Sequence, residues 1–328
     1  MLNIYWEYAG TRYKHKLKAI EASRGNIQDI TFHAFSNAFY NRDHTIEPST
    51  PYKELLKQRA LQIRDKYKFI KLYFSGGQDS FTMLNAFVEN GIFIDQININ
   101  LFGNENSRSN IEANEYAIPY IKKHFEFTNT KITVLKNDFD YFNEYLGDKW
   151  LHTRTNLYLR HFNIPNIRGK NYCNLFGFLD PSAYFENGKY YYSLWDGEIE
   201  ELLGFRNCEL FFSSEDLPDL HLKQLHLVKN FIKHNNDKKH ILNLYNDDIE
   251  TYLDVVKVVC RDKALFTKIY SKSIKNRFTN DKDRVLFSEL PNHLKDKYKY
   301  VLSTKVGGNL LVRLLKNNHH AAPICLGE

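Results

Sequence analysis

The chain has 328 residues, 43% hydrophobic and 26% charged, with 45 Lys and Arg against 39 Asp and Glu for a formal net charge of +6. This apolar content excludes a disordered chain, which cannot build a core, and the length suits two ordinary domains or one elaborated domain. The mild basic excess favours an anionic ligand and leaves a nucleic-acid partner open without requiring one.

Taken in chain order, residues 1–50 have mixed polarity and no sustained period, so they read as an irregular N-terminal extension. Pro48-Ser49-Thr50-Pro51 punctuates the chain. Tyr52 to about Tyr67 carries Leu55, Leu56, Ala60 and Ile63 at near-helical spacing and is expected to be a helix. Lys68–Phe74 is a short β-rich run, followed by a Ser75-Gly76-Gly77 turn and a helix from Ser80 to Asn90 that stops at Gly91. Ile92–Ile99 is expected as a second strand, Glu112 to about His124 as a second helix that Pro119 kinks or splits, and Lys131–Leu135 as a third strand. Helical patterns fill Asp138 to His161. Strands alternating with helices of this length imply an α/β fold, a doubly wound parallel sheet covered on both faces.

After Pro165 the pattern changes. Asn187-Gly188 between aromatic runs marks a hairpin over Ala183–Ser193, since Asn-Gly suits the tight turn that joins two strands. A short helix is expected at Glu198–Leu203, an apolar run at Glu209–Phe212, and an amphipathic helix from Leu220 to about Ile232. The chain then reads as helical to about Tyr300, with Lys238-Lys239-His240 as a solvated helix start and a Gly307-Gly308 turn before a small apolar tail. These signals divide it into residues 1–67 (extension and helix), 68–165 (core), 166–212 (hairpin-containing substrate region) and 213–328 (helical C-terminal region). The 22 Tyr and 24 Phe are spread along the whole length, which fits core filling better than one base-stacking surface.

Four well-separated cysteines, Cys173, Cys208, Cys260 and Cys325, form no C-x-x-C pair and hence no zinc or dithiol signature. No apolar stretch approaches the roughly 18 residues that span a bilayer. The first residues lack a basic region followed by an apolar core, so a cytoplasmic protein with no membrane partner is expected.

The chemistry is concentrated in Ser75-Gly76-Gly77-Gln78-Asp79-Ser80, between an expected strand and an expected helix. A helix start presents unpaired backbone N–H groups and the positive end of its dipole, both of which favour an anion. Gly76 and Gly77 allow close backbone approach to an oxygen-rich ligand and conformations that a Cβ forbids. The Ser75 and Ser80 hydroxyls can donate to phosphate oxygens, and Asp79 either binds the Mg²⁺ that accompanies ATP or orients the loop. The loop is not a Walker A motif, because G-x-x-x-x-G-K-[ST] is absent. The ordinary alternative is a chance Gly-Gly turn capped by serine.

At these residues the chain resembles the PP-loop ATP pyrophosphatases, the adenine-nucleotide α-hydrolase-like superfamily, whose signature is S-G-G-x-D-S. The resemblance covers about residues 68–165. It implies ATP and Mg²⁺ at the carboxyl ends of the strands, cleavage between the α- and β-phosphates, and transfer of the AMP part to an acceptor. Within the superfamily, the RNA-thiolating, deazaguanine-nitrile and sulfonucleotide-reductase branches carry cysteine motifs that this chain lacks. The asparagine-synthetase-like branch fits best, and its second pyrophosphate-contacting segment is similar to Asp196-Gly197-Glu198-Ile199-Glu200-Glu201-Leu202-Leu203-Gly204, given a one-residue shift. The chain departs from true asparagine synthetases in having no early cysteine for a glutaminase and no later D-R-x-S-M-A segment. The resemblance therefore implies a stand-alone adenylating, ligase-type enzyme with its own acceptor.

Other candidates are weaker. Asn98 and Asn100, at the expected end of the second strand, fall where this fold meets adenine or ribose, although polar strand ends are common. Displacement at an α-phosphate needs positive charge, which Arg154, Arg160, Arg168 or Lys170 can supply; Arg168 and Lys170 are the preferred catalytic pair, with a solvated basic loop as the alternative. His221, Lys223, Gln224 and His226 share one expected helix, and a polar helix face explains them most simply. The expected function is ATP-dependent adenylation of a small-molecule carboxylate or carbonyl for amide or C–N bond formation. Modification of a tRNA or DNA base, or nucleotide sensing without turnover, are the alternatives.

Overall fold

The computed structural model describes residues 4–14, 16–102, 110–126, 128–137, 171–177, 184–192, 207–234 and 321–328, with isolated positions 292, 293 and 296. The helical readings at 138–161, 198–203 and 235–300, the Lys238–His240 cluster and the Gly307-Gly308 turn fall outside the described residues.

The N-terminal stretch is not irregular. Strands β1 (Tyr5–Tyr8) and β2 (Thr11–Tyr13) form an antiparallel hairpin, and β3 (Thr31–His33) pairs with the other edge of β1. The hairpin turns through Ala9 and Gly10, both at positive φ. Helix α1 (Lys16–Ala22) contributes Ala19 and Ile20 to a buried layer with Trp6 and Phe32. A short helix α2 (Asn37–Tyr40) follows, with Ser36 capping its first turn through Phe39 N–H.

Helix α3 (Tyr52–Lys66) leads into the main sheet. Its buried residues are Tyr52, Leu55, Leu56, Arg59, Ala60 and Ile63, an i, i+3, i+4, i+7 face. Strand β4 (Phe69–Tyr73), helix α4 (Gln78–Val88), β5 (Gln96–Phe102), helix α5 (Ile118–Phe125) and β6 (Lys131–Asn137) then alternate. Glu112–Ala117 forms a π-helical turn that runs without a break into α5, and Pro119, which has no N–H to donate, sits where the π pattern gives way to α.

The second strand is shifted from the expected Ile92–Ile99. Residues 92–95 instead connect α4 to β5: Gly91 takes positive φ and Ile92 N–H returns to the Phe87 carbonyl at 2.9 Å to close the helix end. The core also runs past residue 165, because β7 (Tyr172–Phe176) and β10 (Cys208–Leu210) join the same sheet. The expected hairpin is present as β8 (Tyr184–Glu186) and β9 (Lys189–Tyr192), with Asn187 and Gly188 both at positive φ. Helix α6 (Pro218–His234) matches the expected amphipathic helix, and β11 (Ile324–Gly327) pairs with β9.

All five strands of the main sheet are parallel, in the order β10-β7-β4-β5-β6. The chain moves outward from β4 through β5 to β6, then returns to the other side of β4 for β7 and β10. The order therefore reverses between β4 and β7. In open sheets of this kind, the crevice at such a switch point, outside the carboxyl ends of the strands, is where ligands bind.

Alternation along the strands gives the sheet two unlike faces. Ile70, Leu72, Phe74, Ile97, Ile99, Leu101, Cys173 and Leu175 share one buried cluster with α3, α4 and α5. Each such side chain contributes about 1.5–3 kcal/mol on burial. The other face carries Lys71, Tyr73, Gln96, Asn98, Asn174 and Phe176, all buried. There Gln96 donates to Asn98 Oδ1 at 2.7 Å and to Thr133 at 3.0 Å, and Tyr73 stacks on Phe176 with centroids 4.5 Å apart.

Among the described residues, no helix is long and apolar enough to cross a membrane.

Candidate functional site

The Ser75–Ser80 loop leaves the carboxyl end of β4, the strand beside the switch point, and runs into the start of α4. The first intrahelical bond is from Phe81 N–H to the Gly77 carbonyl, 2.9 Å. The N–H groups of Gln78, Asp79 and Ser80 therefore have no carbonyl four residues back within the helix, and they collect at the positive end of its dipole.

The two glycines differ. Gly76 sits at φ +82°, and a Cβ there would lie 3.1 Å from both the Ala117 Cβ and the Glu112 carbonyl oxygen. It thus needs its missing side chain twice, for backbone conformation and for contact with the π-helical turn. Gly77 has φ −76° and ψ 166°, extended backbone open to any residue. Only Gly76 matches the expectation that a Cβ is conformationally forbidden.

The serines close the loop on itself. Gly77 N–H donates to Ser75 Oγ at 3.2 Å, the two hydroxyls are 3.2 Å apart, and Ser80 Oγ donates to the Gly77 carbonyl at 2.9 Å. Ser80 Oγ also accepts from Ser75 N–H at 3.3 Å. Each hydroxyl has one proton. With Ser80 donating to Gly77, Ser75 donates to Ser80, and neither proton is left for a ligand. Ser75 is exposed and can turn outward by giving up one bond; Ser80 is buried and acts as an internal strut. Asp79, half-buried, stands in the first turn of α4, where a carboxylate suits the helix dipole.

A residue unmarked by the sequence reading completes the crevice. Gly177 follows β7, and a Cβ on it would meet the Asp79 carbonyl oxygen at 2.9 Å and the Met83 Cβ at 3.1 Å. The end of β7 therefore lies directly against the start of α4, across the switch point. Only strand order could have revealed this, because Gly177 stands 97 residues after Ser80.

Asn98 and Asn100 are not at a strand end, since β5 continues to Phe102. Asn98 pairs in register with Tyr73, accepts Phe74 N–H on its carbonyl at 2.8 Å, and is 1% exposed within the polar face. Asn100, two residues further along, points to the same face as Asn98 and pairs in register with Leu135 of β6. Arg154, Arg160, Arg168, Lys170, Asp196 and Gly197 lie outside the described residues.

His221, Gln224 and His226 do not form a solvated helix face. All three are buried against residues 35–52. Among the described residues, no group of three or more His, Cys, Asp or Glu is placed to hold a metal ion. A lone carboxylate such as Asp79 suits Mg²⁺, which commonly takes one or two carboxylates and fills its shell with substrate phosphates and water. The glycine-tight loop and the positive end of the α4 dipole likewise suit a polyphosphate.

No family model matches the chain. A search of curated proteins finds no match either.

Proposed function

We propose that the chain is a PP-loop adenylating enzyme of the asparagine-synthetase-like kind. It binds MgATP at Ser75–Ser80, cleaves the α–β bond, and passes AMP to the carboxylate or carbonyl of a small-molecule acceptor, which an amine then attacks. The observation that carries this reading is the position of an S-G-G-x-D-S loop at the carboxyl end of β4, beside the switch point, opening directly into α4.

In this reading, the N–H groups at the start of α4 hold the β- and γ-phosphates as the leaving group and stabilise the charge that grows there. Gly76 keeps the loop tight on the π-helical turn, and Gly177 lets the end of β7 pack directly on the start of α4. Asp79 would hold Mg²⁺, which neutralises phosphate charge when bound. Arg168 and Lys170 supply positive charge at the α-phosphate, and Asn100 borders the nucleoside part. Asp196 and Gly197 remain candidates for the pyrophosphate side.

Pyrophosphate release from MgATP tests the acceptor class. Small carboxylates with an amine donor should accelerate it at least tenfold over ATP alone. Acceleration by tRNA or DNA alone, strongest at low salt, would shift the acceptor to nucleic acid. Absence of ATP binding by calorimetry would remove the reading altogether.

A further inference from the structure

Helix α6 fastens a distant part of the chain to the core, independently of the nucleotide reading. Ser36 N–H donates to Glu215, Arg42 pairs with Asp219 at 2.6 Å, and Lys223 pairs with Glu47 at 2.6 Å. Beneath these polar contacts lies a layer of another kind. His221 and His226 of α6 face His44, Gln224 faces Tyr52, and all five are buried. His226 Nε2–H donates to the His44 carbonyl at 3.0 Å, and Gln224 donates to the Tyr52 hydroxyl at 2.8 Å. His221 Nδ1 lies 3.3 Å from the Ser213 hydroxyl, and its ring packs edge-on against Tyr192 at 4.9 Å and beside Phe35. Among the described residues, the Nε2 atoms of both His221 and His44 have no hydrogen-bond partner.

Neutral rings tolerate such surroundings with one unmet acceptor each. A protonated ring would bury a charge and an N–H with nothing to receive it. The neighbouring charges do little to help. Around His44, Arg42 and His226 oppose protonation and Asp43 favours it; around His226, Lys229 and Lys223 oppose it and Glu47 favours it. His221 has His44 as its titratable neighbour, which opposes it as well.

We propose that this histidine layer is an acid-operated clasp: protonation of His221 and His44 detaches residues 35–47 from α6 while the five-stranded sheet stays folded. Burial pushes His221 down to about 4 from its ordinary 6.5, and it lowers His44 and His226 too. The detached state thus binds protons more tightly than the closed state. The clasp is firm above pH 6.5 and weakens as pH falls toward 4. Protonation of His221 alone makes detachment about 30-fold more favourable at pH 5 than at pH 7.5.

Hydrogen exchange of the full chain, corrected for intrinsic rates, tests this. Between pH 7.5 and 5, amides of residues 36–47 should lose at least tenfold more protection than those of β4 and β5. His221→Phe, which keeps an aromatic ring but cannot titrate, should remove most of that loss. Should that variant fail to fold, ring NMR of the wild type decides: His221 should take up its proton together with the opening, well below pH 6.5. Equal loss in both regions, full protection of 36–47 at pH 5, or a His221 ring titrating near 6.5 without opening would each overturn the clasp.

Discussion

Gly76 holds φ +82° against Ala117 and Glu112, so Gly76→Ala forces a side chain into both a left-handed backbone and a tight contact. The conformational part alone costs about 1–2 kcal/mol. Gly76→Ala should therefore lower the urea midpoint and ATP affinity together. Gly77 is different, since its extended backbone accepts any residue. Gly77→Val should keep stability within about 0.5 kcal/mol, as for a surface change, yet crowd the phosphates and abolish ATP binding by calorimetry. Equal losses of stability in the two variants would mean that the loop geometry has been misread. Asp79→Asn preserves shape and removes the charge, so turnover should fall by orders of magnitude while the melting temperature is nearly unchanged. Retention of full turnover would take Asp79 out of the chemistry. The two glycines looked equivalent in the sequence because φ is a property of the folded loop; only the contact with residues 112–117 separates them.

Helix α3 is locked to the edge strand β10 by one fully buried ion pair. Arg59 meets Glu209 at 3.1 Å, with both side chains 1% exposed, and also donates to the Phe211 and Leu210 carbonyls. Lys66 and Tyr67 donate to the other Glu209 oxygen at 2.7 and 2.6 Å. Burial pushes the Glu209 carboxyl up, but Arg59 and the two donors outweigh it and hold it below the ordinary range. Arg59→Met should destabilise by about 1–3 kcal/mol, because Glu209 keeps Lys66 and Tyr67 but the buried Leu210 and Phe211 carbonyls and one Glu209 oxygen lose their donor. Lys66→Met should cost less than about 1 kcal/mol, since Lys66 is 44% exposed. The depressed carboxyl stabilises the fold above the ordinary carboxylate range and loses that contribution as pH falls through its lowered value. Urea midpoints of the wild type should accordingly drop between pH 7 and pH 3.5, and Arg59→Met should flatten that slope. Neither partner was marked by the sequence, because they are 150 residues apart. Elements with whole turns of periodicity, α3, α4 and α6, were readable in advance. Strands β1, β2 and β3 were not, because runs of three or four residues are too short to display alternation and Ala9-Gly10 is an atypical turn pair.

For the whole molecule, strand order matters most. The alternation of strands and helices from residue 68 to 137 announced a parallel sheet, but not that β7 and β10 return to the far side of β4. That return creates the switch point and sets Gly177 against Asp79, a long-range relation that local patterns do not encode. Under the proposed function, two chemistries on ATP have to be told apart. A γ-phosphate transferase yields ADP, whereas an adenylating enzyme holds the β- and γ-phosphates still and exposes the α-phosphorus. Incubation of the protein with α-labelled ATP, Mg²⁺ and candidate carboxylate acceptors, followed by separation of the labelled products, distinguishes them directly. The account predicts label in AMP or an acceptor adenylate, with one pyrophosphate released for each; label accumulating mainly in ADP would contradict it.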